Sequence, residues 1–174
     1  MLDYNLLVAF RAGKEEEAED EMVKRARDAG AEIEDWNVSM APDLYLVRVN
    51  GEARRTVQKI IRLAEHFPDV FAYTVRWTPV DEWINAEEEM IRAVVERYRQ
   101  SDPQLPVTLN ILHSCSDKFS GLAESLSANS SAQPPESGLL INVLGDTAAI
   151  TLLSKQEELM DINQIRAKNG LPAV

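Results

Sequence analysis

The sequence contains one cysteine, Cys115, in 174 residues. A lone cysteine excludes an intrachain disulfide and any metal site built from several cysteines. Long apolar runs are missing as well. Nothing approaches the roughly 18 residues needed to cross a bilayer, so no membrane partner is expected. The opening MLDYNLLVAF has no basic stretch before its apolar residues, which argues against a secretory signal. A cytoplasmic protein is the expectation. Neither GxGxxG nor GxxxxGK[ST] occurs, so no common nucleotide cradle is expected.

Histidine is scarce, with only His66 and His113. His66 ends a helical run, where an imidazole can bond orphan carbonyl groups. His113 stands two residues before Cys115, which raises a hydrolase reading with a thiol nucleophile and its base. The pair lacks an orienting third group. The acidic runs Glu15–Glu17 and Glu87–Glu89 open helices, where the helix dipole accounts for them. Neither has the spacing of a calcium loop. No metal, no cofactor and no catalytic residue are expected, and the chain is not read as an enzyme.

Positive charge is the last scarcity. There are 18 Lys and Arg against 29 Asp and Glu, a net charge of −11. Residues 1–84 carry 11 basic and 17 acidic side chains, and residues 85–174 carry 7 and 12. Neither half is basic. Nucleic-acid binding would therefore need a local patch of Lys and Arg.

What is present is a globular composition, 45% apolar and 27% charged, long enough for one domain or two small ones. Asn5–Phe10 reads as a strand and Lys14–Ala29 as a helix with Ala18, Met22 and Ala26 on one stripe. That helix is acidic at its start and basic at its end, and Gly30 stops it. Ala31–Met40 and Leu44–Val49 read as strands around the turn pair Pro42-Asp43. Glu52–His66 is an amphipathic helix with Ala53, Val57, Ile60, Ile61 and Ala64 on its apolar stripe. Arg54, Arg55, Lys59 and Arg62 make its other face the most basic local surface in the chain. A solvated face is the ordinary role for such a pattern, and phosphate contact is the alternative.

The stretch Asp69–Val80 reads as a strand over Phe71–Thr78, with Phe71, Tyr73, Val75 and Trp77 on one face and Arg76 on the other. Pro79 should end it. Strand, helix, strand, strand, helix, strand is the split βαβ order of ferredoxin-like folds. A second unit follows. Asn85 and Glu88 resemble a capping box before a helix carrying Ile91, Val94, Val95 and Tyr98. Pro106–His113 reads as a strand, Asp117–Ala128 as a weaker helix, and 127–138 as a Ser- and Pro-rich loop. Leu139–Leu144 and Ala148–Leu153 form a hairpin about Gly145-Asp146. Residues 155–168 read as a last helix with Leu159, Ile162 and Ile165 on one side.

The order of motifs resembles the archaeal THUMP-domain proteins, and is similar to the adaptor that assists tRNA N4-acetylcytidine formation. NLLVAFRAGKEEEAEDE, LYLVRVNGEARRTVQKI, HFPDVFAYTVRWTPV and LLINVLGDTAAITLL carry the likeness over most of residues 4–153. The resemblance implies an α+β protein. An N-terminal ferredoxin-like unit, residues 1–80, would be packed with a C-terminal THUMP-type unit, residues 81–174 including a C-terminal extension. It implies a non-catalytic tRNA-binding accessory protein, with tRNA and a separate tRNA acetyltransferase or other modifying enzyme as partners. By position it places RNA contacts at Arg11, at Arg76 and on the strand Val107–His113, ending in His113; the tRNA-binding reading adds Lys118 and, from the basic helix face, Arg54, Arg55 and Lys59. The segment VTLNILHSCSDKF holds Lys118 as its only formal positive charge where the family strand is basic. This implies weakened RNA affinity. An acidic protein-interaction or small-ligand module that has lost RNA binding is the competing expectation.

Overall fold

The structure is a computed structural model that describes residues 2–112, 119, 121–129, 135, 137–154 and 158–174. In chain order the elements are β1 (Leu6–Phe10), α1 (Glu15–Asp28), β2 (Ile33–Val38), β3 (Leu44–Val49), α2 (Ala53–His66), β4 (Thr74–Pro79) and β5 (Glu82–Asn85). Then come α3 (Glu88–Arg99), β6 (Val107–Ile111), α4 (Leu122–Ser125), β7 (Gly138–Leu144), β8 (Thr147–Leu153), β9 (Met160–Asp161) and α5 (Ile162–Lys168). The protein is mixed α+β and divides into two compact units. One holds Asp3–Ser39, Asp43–Val80 and Glu157–Val174. The other holds Met1–Leu2, Met40–Pro42 and Asp81–Gln156.

The first unit has a five-stranded sheet in the order β2-β3-β1-β4-β9, antiparallel at every pairing. The apolar stripes read from the sequence are its core. Ala18, Met22 and Ala26 of α1 and Val57, Ile60 and Ala64 of α2 are fully inaccessible. They pack with Leu6, Val8, Tyr45, Phe71 and Trp77. The ring of Phe10 lies 4.6 Å from that of Tyr45. α1 ends where Gly30 takes φ +71°. The amide of Ala31 then bonds the Ala26 carbonyl at 2.9 Å and that of Gly30 bonds Arg27 at 2.8 Å, which satisfies carbonyls the helix leaves open.

The second unit has a four-stranded sheet, β5-β8-β7-β6, parallel only between β6 and β7. β7 is buried along its whole length, which is why its sequence is continuously apolar rather than alternating. β7 and β8 form the expected hairpin, with Gly145 at φ +69° in the two-residue turn. Ile91, Val94 and Val95 of α3 pack on the core with Leu109, Leu139 and Ile141. At the start of β7 only glycine fits. Gly138 has φ +114°, and a Cβ there would lie 2.5 Å from the Pro106 carbonyl oxygen.

Four expectations differ from the structure. The strand expected from Phe71 starts at Thr74, because the amides of residues 72–74 bond to a side chain instead of joining a ladder. Asn85 does not cap α3. It closes β5, paired with Thr147, and α3 begins after Glu87 without a side-chain cap. A four-residue strand is too short for alternation to show. The helix expected over Asp117–Ala128 is described only as the single turn α4. It starts after Gly121 at φ +81°, a conformation that favours glycine and lies outside the helical region. The last helix is shorter than 155–168. Its segment, expected in the second unit, belongs to the first: β9 pairs with β4, and Ile162 and Ile165 enter the first core. An amphipathic pattern states that a face is buried, not which core buries it.

Candidate nucleic-acid interface

The sequence-predicted contacts fall into three groups. His113 and Lys118, with Cys115, lie outside the described residues. Arg54 and Arg76 are engaged in ion pairs. Arg54 meets Glu158 at 3.2 Å. Arg76 meets Asp161 through Nε at 3.1 Å and Nη2 at 2.8 Å. Asp161 is 6% exposed, and its other carboxylate oxygen accepts from the amides of Asn163 and Gln164, capping α5. So the returning C-terminal segment supplies the carboxylates for both arginines. Nothing in a linear reading of Arg54 or Arg76 reveals partners about a hundred residues away.

The third group is exposed. Arg11 follows β1, and its guanidinium donates to the Ala72 carbonyl at 3.1 Å. Arg55 and Lys59 stand on the outer face of α2, and Arg62 and His66 continue the same line. Spacings of four, three and four residues keep these side chains on one face of a helix. All four are exposed, and among the described residues none makes an ion pair. At its far end the stripe borders a shallow groove of about 470 Å3. The end of α1 forms one wall through Asp28, Ala29 and Gly30, and Lys59, Arg62, His66 and Phe67 form the other. The Lys59 ammonium reaches over Gly30. Asp28 is paired with Arg25 at 2.8 Å. His66 Nδ1 donates to the Arg62 carbonyl at 2.7 Å, one turn back along α2 and not to a carbonyl left open at the helix end. Phe67 is 60% exposed beside it.

Sequence reasoning missed the group that fixes the start of β4. Glu21 is 7% exposed on the core side of α1. Its carboxylate accepts from the Ala72 amide at 2.7 Å, the Thr74 amide at 2.7 Å and the Thr74 hydroxyl at 2.7 Å. The Tyr73 amide adds a longer contact at 3.2 Å. The available signal was position: Glu21 sits between Ala18 and Met22 on the apolar stripe, where an unpaired carboxylate would be costly. Tyr45 is held similarly, its hydroxyl donating to the Glu15 carbonyl at 2.7 Å. Burial, with the nearby charges of Glu15 and Glu19, pushes its pKa up to about 12.

Among the described residues no three His, Cys, Asp or Glu side chains group to hold a metal ion, and no helix is long and apolar enough to cross a membrane. No family model and no curated protein matches the chain. Solved structures do. PH1313 from Pyrococcus horikoshii Ot3 matches with a TM-score of 0.50 at 10% identity, over 91% of this chain and 55% of that one. A predicted N6-adenine-specific DNA methylase from Listeria monocytogenes matches with a TM-score of 0.45 at 14% identity, over 86% and 40%. The chain thus spans about half the length of the structures it resembles, and it shares the fold of PH1313.

Proposed function

We propose that this chain is a THUMP-type RNA-binding accessory protein, built as a ferredoxin-like unit followed by a THUMP unit. It binds tRNA for a separate base-modifying enzyme, of the cytidine N4-acetylating kind, and carries no chemistry of its own. The observation that carries this reading is the exposed line Arg55–Lys59–Arg62. On a chain of net charge −11, eight of the sixteen described Lys and Arg pair with a carboxylate, and these three, aligned on one exposed helix face, do not. The element order β1-α1-β2-β3-α2-β4 and the resemblance read from the sequence support the same role. Arg11 is a further exposed cation of the same unit. Arg54 and Arg76 act in folding rather than in RNA contact.

The test is fluorescence anisotropy with total tRNA at 50 and 200 mM salt. Three phosphate contacts give a log–log salt slope of about −2 to −2.7, so affinity should fall about 20- to 40-fold across that range. The variant Arg55→Ala/Lys59→Ala/Arg62→Ala should remove most of that slope. No binding at 50 mM salt, alone or with the modifying enzyme, would refute the reading. The competing reading, an acidic protein-interaction module, draws on the neutralised Arg54 and Arg76. It predicts tRNA binding indistinguishable from background.

A further inference from the structure

The exposed ring of Phe67 has no part in the core, and the chain itself puts it outside. Pro68 disfavours helical geometry at the residue before it, and Phe67 takes φ −136° and ψ 64° as α2 ends. Its side chain therefore leaves the apolar stripe of α2 and stands 60% exposed. A single exposed apolar residue is ordinary on a protein surface. Phe67, however, lines the groove of about 470 Å3 between α2 and the end of α1, in company with Lys59 and Arg62. That volume lies within the range of about 300–1,000 Å3 that holds small ligands. From Lys59 to Phe67 the groove follows α2 for eight residues, about 12 Å at the helical rise.

The charges in the lining favour an anion. Lys59 and Arg62 make no ion pair among the described residues. The one carboxylate in the lining, Asp28, is already bonded to Arg25 at 2.8 Å. Glu65, exposed on the last turn of α2, does not line the groove. An aromatic face beside two available cations matches the two halves of a nucleotide: the base stacks and the phosphate pairs. A base inside a duplex has both faces covered, so an aromatic side chain can stack only on one that is unpaired. Arg55 lies one turn before Lys59 on the same helix face, outside the groove lining. A further cation in line calls for a further phosphate, and so for a strand rather than a free nucleotide.

We infer that this groove takes one unpaired nucleotide of the bound RNA, its base stacked on Phe67 and its phosphate held by Lys59 and Arg62. The inference rests on the RNA-binding reading and adds to it a preference for single strands. Fluorescence anisotropy of the full chain at 50 mM salt tests it, with a labelled mixed-sequence RNA nonanucleotide, alone and annealed to its complement. Phe67→Ala should weaken single-strand binding about 5- to 10-fold, the lower end of what a stacked base contributes. It should leave duplex affinity and the urea unfolding midpoint unchanged, and Phe67→Trp should retain single-strand binding. Arg55→Ala/Lys59→Ala/Arg62→Ala should weaken both RNA forms. If that triple variant loses RNA while Phe67→Ala binds the single strand like the parent, the stacking inference is overturned and the RNA-binding reading stands. If neither RNA form binds the parent, both fall. Equal loss of duplex affinity in Phe67→Ala would also overturn the inference. So would AMP, or a peptide alternating glutamate with tyrosine, displacing the labelled strand as readily as unlabelled strand does.

Discussion

Replacing Glu21 tests the account of how β4 is positioned. Its carboxylate takes two amides and a hydroxyl at 2.7 Å. In Glu21→Ala the amide and hydroxyl of Thr74, a residue with no exposed surface, lose their acceptor. Each unsatisfied buried group costs about 1–3 kcal/mol. The Ala72 and Tyr73 amides belong to half-buried residues, where water can substitute at small cost. The total is about 3–5 kcal/mol once the small cavity is included. Glu21→Gln keeps one acceptor but turns an NH2 group toward amide donors, so it should cost about 2–3 kcal/mol. Equilibrium urea unfolding followed by tryptophan fluorescence reads both. Trp36 and Trp77 lie in the unit being perturbed and Trp83 in the other, so Trp83→Phe isolates the transition of interest. With a slope of about 2 kcal/mol/M, Glu21→Ala should lower the midpoint by about 1.5–2.5 M. A Glu21→Ala protein within about 0.5 kcal/mol of the parent would refute the reasoning, because surface substitutions behave that way.

Three further outcomes follow from single residues. Tyr45 is raised to about 12 from the ordinary tyrosine value near 10. The fold therefore favours its neutral form. That stabilisation is complete below about pH 10 and fades as pH rises from 10 towards 12. Absorbance titration at 295 nm should show a tyrosine step near 12 that Tyr45→Phe removes. Gly138→Ala should destabilise the second unit by about 2–3 kcal/mol or more, since strained backbone and a close approach to Pro106 combine; calorimetry would show a lowered transition. Arg76→Ala should cost about 1–3 kcal/mol by leaving Asp161 unpaired, discounted for the partial exposure of the arginine. It should change tRNA affinity less than about twofold, whereas Lys59→Ala should weaken binding without a stability loss.

Much of the fold was legible because burial follows period. The stripes of α1 and α2 predicted the inaccessible Ala18, Met22, Val57 and Ile60, and the apolar run at 139–144 predicted a covered strand. Trp77 is fully buried as its alternation required, and Gly30 and Gly145 mark turns where φ must be positive. The candidate site was half legible. Arg55 and Lys59 could be placed on an exposed face by helix geometry alone.

What the sequence determined, then, is each element's kind and each side chain's face. These depend on neighbours three or four residues away along a helix, or two along a strand. Which charges are free to meet a ligand is a question of distant neighbours. Arg54 and Arg76 look as available as Lys59 until the chain returns with Glu158 and Asp161. Glu21 looks like one more helix carboxylate until Ala72 and Thr74 close over it. Coulomb and hydrogen-bond terms act over a few ångströms in space, at any separation in sequence. For that reason only the tertiary structure decided which of the basic residues remain exposed for binding.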